Sequence, residues 1–571
     1  MKIQRWRLIG LTTLLYLAFI FIWLRLFYWQ VIQAETLSQE AEKQYSQLVT
    51  AQGQRGSIYS SDGYLLAGKE KVWRLYAEPP LITADSQKIS EQILDLVLAN
   101  LESYKTASES AIKTEIKNKT QAGLLEKLTD KNKKWVNLAN KIDEESKNKI
   151  AELKISGLNF EDYYGRYYPE ASMAAHVLGF VGKNKLGQDQ GYFGIEGALN
   201  KELSYKTESK LIPQILSRQT EDKNYNGRDL VLTIKRDVQY LLENELEQAI
   251  NKYTAKSGEI IVMEPQTGKI LALATWPHYD PQKFYQSDPS LYQNPSISSL
   301  YEPGSTFKVL TVATGIDTGK IQSDTQCDDC NGPKKVGKYL IRTWNDEYHP
   351  QITMTEALAK SDNTAMIFAM EKIGAENFIN YLKKFGLADG ANHDLQEDLA
   401  ASFPEKWGPV ELATRSFGQG ISLTSLQLIK AINAIANQGV LLQPQIVEQV
   451  IDPQTGETIN SPKIELNRVV SAETARQVTA MMVEAAKHGE AQWIVSKDYQ
   501  TAGKTGTSQI PNQEGGYFED KTIASFVGFA PAEKPKFIML TKLVEPQSSP
   551  WAAETAAPLW YRVADKLMLL L

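Results

Sequence analysis

The chain has 571 residues, more than one ordinary domain of roughly 100–200 residues. Hydrophobic residues make up 42% and charged residues 23%, which excludes a disordered chain and leaves ample material for a core. A net charge of −6 gives no reason to expect nucleic acid as a partner, and two cysteines exclude a disulfide framework.

Lys2, Arg5 and Arg7 precede an apolar run from Leu8 to Leu24, which Arg25 interrupts before Leu26 to Ile32. A bilayer core of ~30 Å needs about 20 helical residues, so Leu8 to about Trp29 suffices if Arg25 snorkels to the outer interface. Trp6, Trp23, Tyr28 and Trp29 would then sit near the two interfaces, and the leading basic residues place the N-terminus in the cytoplasm. The competing reading is a cleaved signal peptide, but the run is long for one and no clear small-x-small cleavage site follows.

Residues 35–50 read as a polar helix. Arg55–Tyr59 and Asp62–Ala67 read as two short strands about a turn at Asp62-Gly63. Residues 84–156 are helical in pattern and rich in Lys, Glu, Asn and Ser, as in a solvated surface or an inserted subdomain. A new domain starts near Gly227. Leu230–Ile234 reads as a strand, Asp237–Tyr253 as a helix, and Gly258–Pro265 with Lys269–Thr275 as a hairpin about Gln266-Thr267-Gly268. Helices dominate from about 305 to 440. Strand signals return at Lys504–Ile510, Ile523–Phe529 and Phe537–Val544, before a last helix from about Trp551. Strands at both ends of this region with helices between predict one sheet flanked by helices.

Three short motifs carry chemistry. Ser305-Thr306-Phe307-Lys308 follows Pro303-Gly304 and opens a helical run. A helix start offers free N–H groups to a developing negative charge, and residues three apart share a face, so the Lys308 amine can reach the Ser305 hydroxyl. A neutral lysine can take that proton, and burial or a second cation would lower its pKa. Ser361-Asp362-Asn363 falls between two predicted helices. Lys504-Thr505-Gly506-Thr507 lies on a predicted strand; its cation and hydroxyls suit a carboxylate, and its glycine lets a ligand approach the backbone.

Each motif is weak alone. Ser146-Lys147-Asn148-Lys149 also matches S-x-x-K, and Glu196-Gly197-Ala198-Leu199-Asn200 matches the E-x-x-L-N pattern of some β-lactamases but precedes the serine. In this order, however, S-x-x-K, S-D-N and K-T-G are the signature of penicillin-binding proteins and serine β-lactamases. With these residues the chain resembles a class B penicillin-binding protein along nearly its whole length. Leu24–Val31, Arg55–Tyr59, Ala175–Gly182 and Gly194-Ile195-Glu196 match the family, and Phe417–Ser422 and Ser525–Ala532 look closer to its division-type branch.

The resemblance implies a multidomain α/β chain with an N-terminal transmembrane helix, an elongated α+β pedestal and a C-terminal penicillin-binding transpeptidase domain, whose central antiparallel sheet is flanked by helices. The expected divisions are residues 1–34 for cytoplasmic tail and anchor, 35–226 for a pedestal of the dimerisation type with its insert at about 84–156, and 227–571 for the transpeptidase. It implies a peptidoglycan D,D-transpeptidase at the cell membrane, single-pass and with an extracytoplasmic catalytic domain, acting in septal cell-wall synthesis. Ser305 would attack the penultimate D-alanine of a stem peptide, Lys308 would take its proton, Ser361 would relay a proton to the leaving group with Lys504 nearby, and Asn363 would hold the peptide. Thr505, Gly506 and Thr507 would form the substrate-binding strand, and the backbone N–H groups of Ser305 and Thr507 the oxyanion hole. The implied partners are stem peptides, β-lactams, the membrane, a membrane glycan polymerase and division proteins; no metal or cofactor is implied. The alternatives are a D,D-carboxypeptidase or β-lactamase of the same chemistry, or a non-catalytic division scaffold and β-lactam sensor.

Smaller features have bland readings. Cys327-Asp328-Asp329-Cys330 reads as a short-loop disulfide or two free thiols rather than a zinc site, since no second cysteine pair exists. Gly503-Lys504-Thr505 is similar to a phosphate loop, but Asp498 stands where that pattern needs glycine. His176 reads as a packing residue, and Arg55 and Arg166 as ion-pair partners. Lys235 replaces an aspartate common in the family, outside the motifs.

Overall fold

The computed structural model describes residues 5–37, 46–101, 104, 110–205, 207–213, 226–391, 394–399, 403–404, 406–512 and 515–571. The chain divides into two compact units, Met1–Gln54 with Tyr205–Gly227, and Arg55–Ser204 with Arg228–Leu571.

In the first unit, one helix over Trp6–Ile32 is 27 residues long and apolar enough to cross a membrane. Its side chains are exposed throughout, as an all-round apolar surface demands when no protein covers it. The second element is a strand pair, Ser46–Gln52 antiparallel to Thr207–Pro213. The polar helix expected over 35–50 is therefore corrected at its C-terminal end: Leu48-Val49-Thr50 pair with a segment far along the chain, and residues 38–45 lie outside the described set.

In the second unit, Ile58–Tyr59 and Leu65–Ala77 form the expected hairpin, with the second strand running further than its sequence signal. Leu65–Ala77 pairs with Leu158–Tyr167 on one side and Val136–Ile142 on the other. That last strand corrects the all-helical reading of 84–156. Val136, Leu138 and Ile142 are buried, although the polar residues among them hide the alternation. Helices Ser86–Ala99 and Ser110–Thr129 close over this sheet with Ile89, Ile93, Val97, Leu98, Leu124 and Leu128, so the insert has a core of its own. The sheet continues through Ile58–Tyr59 to Asp229–Leu232, Val447–Ile451 and Thr458–Asn460. Strands between 440 and 468 had no sequence expectation.

Three side chains lock this part internally. Glu196 is fully buried; it accepts from Arg55 Nε at 2.7 Å and Arg166 Nε at 2.6 Å. Burial works against its charge, but the guanidiniums of Arg166 and Arg55 outweigh it and hold the carboxyl below its usual range. The E-x-x-L-N match is thus a structural acid, and both arginines are its partners. His176 donates from Nε2 to Leu291 O at 2.8 Å, which leaves Nδ1 to accept from Thr275 at 2.5 Å. Burial pushes this imidazole down from 6.5 to about 4. Above the unfolded value both states are neutral, and below it only the unfolded chain takes the proton, so stability falls with falling pH. Between about pH 6.5 and 4 the loss approaches about 3 kcal/mol. Urea midpoints at the two ends of that window should differ more for the wild type than for His176→Gln.

The catalytic half is built on five antiparallel strands in the order Ile270–Trp276, Ser257–Met263, Phe537–Val544, Tyr517–Ala530 and Ala502–Pro511. Both faces are apolar, and the pleat sorts them. Ile260, Val262, Phe526 and Met539 pack under helices Arg236–Tyr253 and Ala556–Leu570 with Leu242, Leu246 and Trp560. Ile261, Met263, Val527 and Ile538 face the helical lobe, with Leu310, Ile367, Leu426 and Met482. The strands come from both ends of this region and the helices from its middle, as expected. Cys327 and Cys330 are joined in a disulfide, which resolves their reading.

Candidate active site

Ser305 lies in a single 3-10 turn, Gly304–Phe307, that runs straight into helix Lys308–Asp317. Two close approaches build this turn. A Cβ on Gly418 would meet Gly304 O at 2.1 Å, so the Phe417–Ser422 run can lie directly beneath it. A Cβ on Gly506 would meet Pro303 O and Thr306 Cγ2, each at 2.8 Å. Gly506 therefore serves the fit between the Lys504 strand and the Ser305 turn, which is a different reason from the ligand approach expected of it.

Lys308 is fully buried. Its Nζ donates to Ser361 O at 2.5 Å and to Ser361 Oγ at 3.2 Å. The amine expected to reach Ser305 thus ties the first motif to the second. Ser361 has a φ of +58°, strained for a side chain with a Cβ, and this turn is what points its carbonyl at Lys308. Asp362 follows as the cap of helix Asn363–Ile373: Oδ1 accepts from Ala365 N at 3.0 Å and Thr364 Oγ1 at 2.6 Å. Asn363 donates through Nδ2 to Arg342 O at 2.9 Å and so fixes the start of the neighbouring loop.

Lys504 sits on the edge strand Ala502–Pro511 and is also buried. Its Nζ donates to Thr505 O at 3.2 Å and Thr505 Oγ1 at 3.1 Å. Thr505 Oγ1 in turn donates to Glu490 Oε2 at 3.0 Å, while Thr507 Oγ1 accepts from Ala552 N at 3.1 Å.

Two buried amines side by side have an electrostatic consequence. Burial, and then the charge of Lys504, push Lys308 well below the usual lysine value, against the opposing pull of Asp362 and Glu490. Burial lowers Lys504 as well, with Glu490 opposing. Each shift moves the amine toward the neutral form, which can accept a hydroxyl proton. A cavity of about 160 Å³ adjoins the site, between Asp362, Lys360, His488 and Glu490. Asp362 Oδ2 is buried there with no hydrogen-bond partner among the described residues.

The sequence motifs thus converge: Ser305, Lys308, Ser361, Asn363, Lys504 and Thr505 belong to one connected set of turns and one strand edge. Glu490 was missed. It stands just past the end of helix Ala472–His488, where nothing in the local pattern marks it.

A serine on a turn into a helix, a buried amine one turn on, and a basic strand edge beside them define the class as a serine acyltransferase. Residues 258–568 match the penicillin binding protein transpeptidase domain and 50–232 the penicillin-binding protein dimerisation domain. The chain is 30% identical to stage V sporulation protein D of Bacillus subtilis, over 95% of this chain and 82% of that one. It is 26% identical to the probable peptidoglycan D,D-transpeptidase PenA of Neisseria meningitidis, over 91% of this chain and 84% of that one. Penicillin-binding protein 3 of Mycobacterium tuberculosis, solved with aztreonam, superposes with a TM-score of 0.69 at 25% identity, covering 91% of this chain and 97% of that one. The chain belongs to the class B penicillin-binding proteins, the family that joins a dimerisation-type pedestal to a transpeptidase domain.

Proposed function

We propose that this chain is a peptidoglycan D,D-transpeptidase that cross-links stem peptides through an acyl-enzyme on Ser305, in septal cell-wall synthesis. The observation that carries this reading is the buried Lys308 amine, hydrogen-bonded to Ser361 and beside Lys504. Lys308 takes the Ser305 proton as the hydroxyl attacks the carbonyl of the penultimate D-alanine. The oxyanion is held by the N–H groups of Ser305 and Thr507. Ser361, already bonded to Lys308, returns the proton to the leaving D-alanine amine. Lys504 and the strand hydroxyls hold the terminal carboxylate, and Asn363 the peptide backbone. An amine from a neighbouring stem peptide then displaces Ser305 and makes the cross-link. β-Lactams acylate the same serine.

The wider reading places residues 1–34 as tail and anchor, 35–226 as pedestal and 227–571 as catalytic domain, outside the membrane and beside a separate glycan polymerase and division proteins. Support comes from the apolar helix Trp6–Ile32 with the leading basic residues, and from relatives named as D,D-transpeptidases. Against a hydrolase of the same chemistry stands Glu196, whose E-x-x-L-N match is held by Arg55 and Arg166 rather than beside Ser305.

Intact-mass measurement after exposure to benzylpenicillin tests the reading. One adduct on the Ser305 peptide that persists for many minutes is the expected result. Rapid loss of the adduct with penicilloate release would make the chain a β-lactamase instead.

A further inference from the structure

The hydroxyl protons of the Lys504 strand can be assigned one by one. A threonine hydroxyl has one proton and two lone pairs, whereas an ionised carboxylate can only accept. Thr505 lies 3.0 Å from Glu490 Oε2, so its proton is committed there. Its lone pair is then the acceptor for Lys504 Nζ at 3.1 Å. Thr507 is the reverse case: its oxygen accepts the Ala552 N–H at 3.1 Å, and its proton stays available.

We infer that Glu490 is a positioning residue for the transpeptidation: by taking the Thr505 proton it turns that hydroxyl into an anchor for Lys504, and leaves Thr507 as the hydroxyl that donates to the substrate's terminal carboxylate. This rests on Ser305 being the acylated serine, and within that reading it gives Thr505 and Thr507 different parts on the strand that holds the carboxylate.

The placement of Glu490 is built into the fold. Gly489 ends helix Ala472–His488, and a Cβ there would meet Ala485 O at 2.2 Å and Ala359 O at 3.0 Å. Only a glycine lets this turn press against helix Met354–Ala359 and bring the next side chain to Thr505. Glu490 also supplies negative charge to both buried amines, opposing the loss of their protons. Its charge acts on Lys308 and Lys504, and Asp362, Lys360, His349, His488 and Glu347 line the adjoining cavity with it.

The experiment follows acylation by benzylpenicillin and by its methyl ester, which lacks the carboxylate. It uses the full chain in detergent from about pH 5 to 10. Glu490→Gln keeps a hydrogen-bond acceptor and removes the charge. Both lysines then lose protons more readily, so both limbs of the pH profile should move to lower pH, while Glu490→Asp should leave them in place. Glu490→Leu removes the acceptor too, and acylation by the acid should fall about tenfold or more against a near-constant rate for the ester. Melting curves confirm that the variants are folded. Profiles that superimpose for wild type and Glu490→Gln, or a Leu variant that slows acid and ester alike, would overturn the inference. A wild type acylated elsewhere than Ser305 would instead remove the reading beneath it.

Discussion

Replacing Lys308 with methionine should slow acylation of Ser305 by a penicillin on the order of 10²- to 10⁴-fold, the usual contribution of a positioned general base. Methionine fills a similar volume in a fully buried position but offers no lone pair of comparable basicity. The pH profile makes the assignment specific. Burial and the neighbouring Lys504 charge hold the folded amine well below the ordinary lysine range. A protonated Lys308 cannot take the Ser305 proton, so on its acid side the wild-type rate should fall as pH drops through that lowered value. The Met variant should lose this limb altogether. Lys308→Arg gives the decisive contrast, because a guanidinium keeps the charge at every accessible pH. If Lys308 acted only as a cation, Arg would retain much of the rate; as a base, Arg should be as slow as Met. Stopped-flow or quenched-flow labelling with a fluorescent penicillin reads all three. A Met variant that acylates at the wild-type rate would remove Lys308 from the mechanism.

What was legible in the chain follows from which interactions are local. The central sheet was readable because Ile260 and Val262 alternate with Ile261 and Met263 onto two apolar faces, and Gln266-Thr267-Gly268 marks the turn. Ser305, Lys308, Ser361, Asn363 and Lys504 were readable because the chemistry needs those residue types close together within short motifs. What was not readable depends on partners far along the chain. Ser46–Gln52 is a strand only because Thr207–Pro213 pairs with it, and Val136–Ile142 only because Leu65–Ala77 does. The Ser361 motif is visible in the sequence, but its left-handed backbone, which turns a carbonyl toward the Lys308 amine, is not. Glu490 lies in the same class: its partners Thr505, Lys504 and Lys308 are brought to it by the packing of one helix end against another. Gly506 shows the converse, a residue found by motif whose physical reason was visible only in three dimensions.

Removing the Glu196 carboxylate should have the largest effect on stability. Arg55 and Arg166 have only 7% and 6% of their side chains exposed, and both aim at this one acid. Glu196→Ala leaves two guanidiniums buried without their counter-charge, and breaking a buried pair in this way costs about 3–5 kcal/mol. Glu196→Gln should recover little. Its amide offers one oxygen where two arginines now share two, and its N–H₂ would face a second donor. Arg166 also donates to Gly56 O at 2.7 Å, and Arg55 to Asn200 Oδ1 at 2.8 Å. The lost acid therefore loosens the join between the first hairpin, the Leu158–Tyr167 strand and the helices after Phe193. The wild type should show the same dependence in its pH profile. The carboxyl is held below its usual range, so its stabilisation is complete above the unfolded value and is lost as pH falls through the lowered one. Urea denaturation at neutral pH reads the first effect, and a series toward acid the second, which should vanish in the Ala variant. The triple change Arg55→Met, Glu196→Leu and Arg166→Met separates charge from shape. Replacing the whole buried cluster with apolar groups removes the uncompensated charges together, and should restore most of what Glu196→Ala loses. A triple variant as unstable as the single one would mean that the hydrogen bonds to Gly56 and Asn200, rather than the ion pairs, hold this part of the chain together.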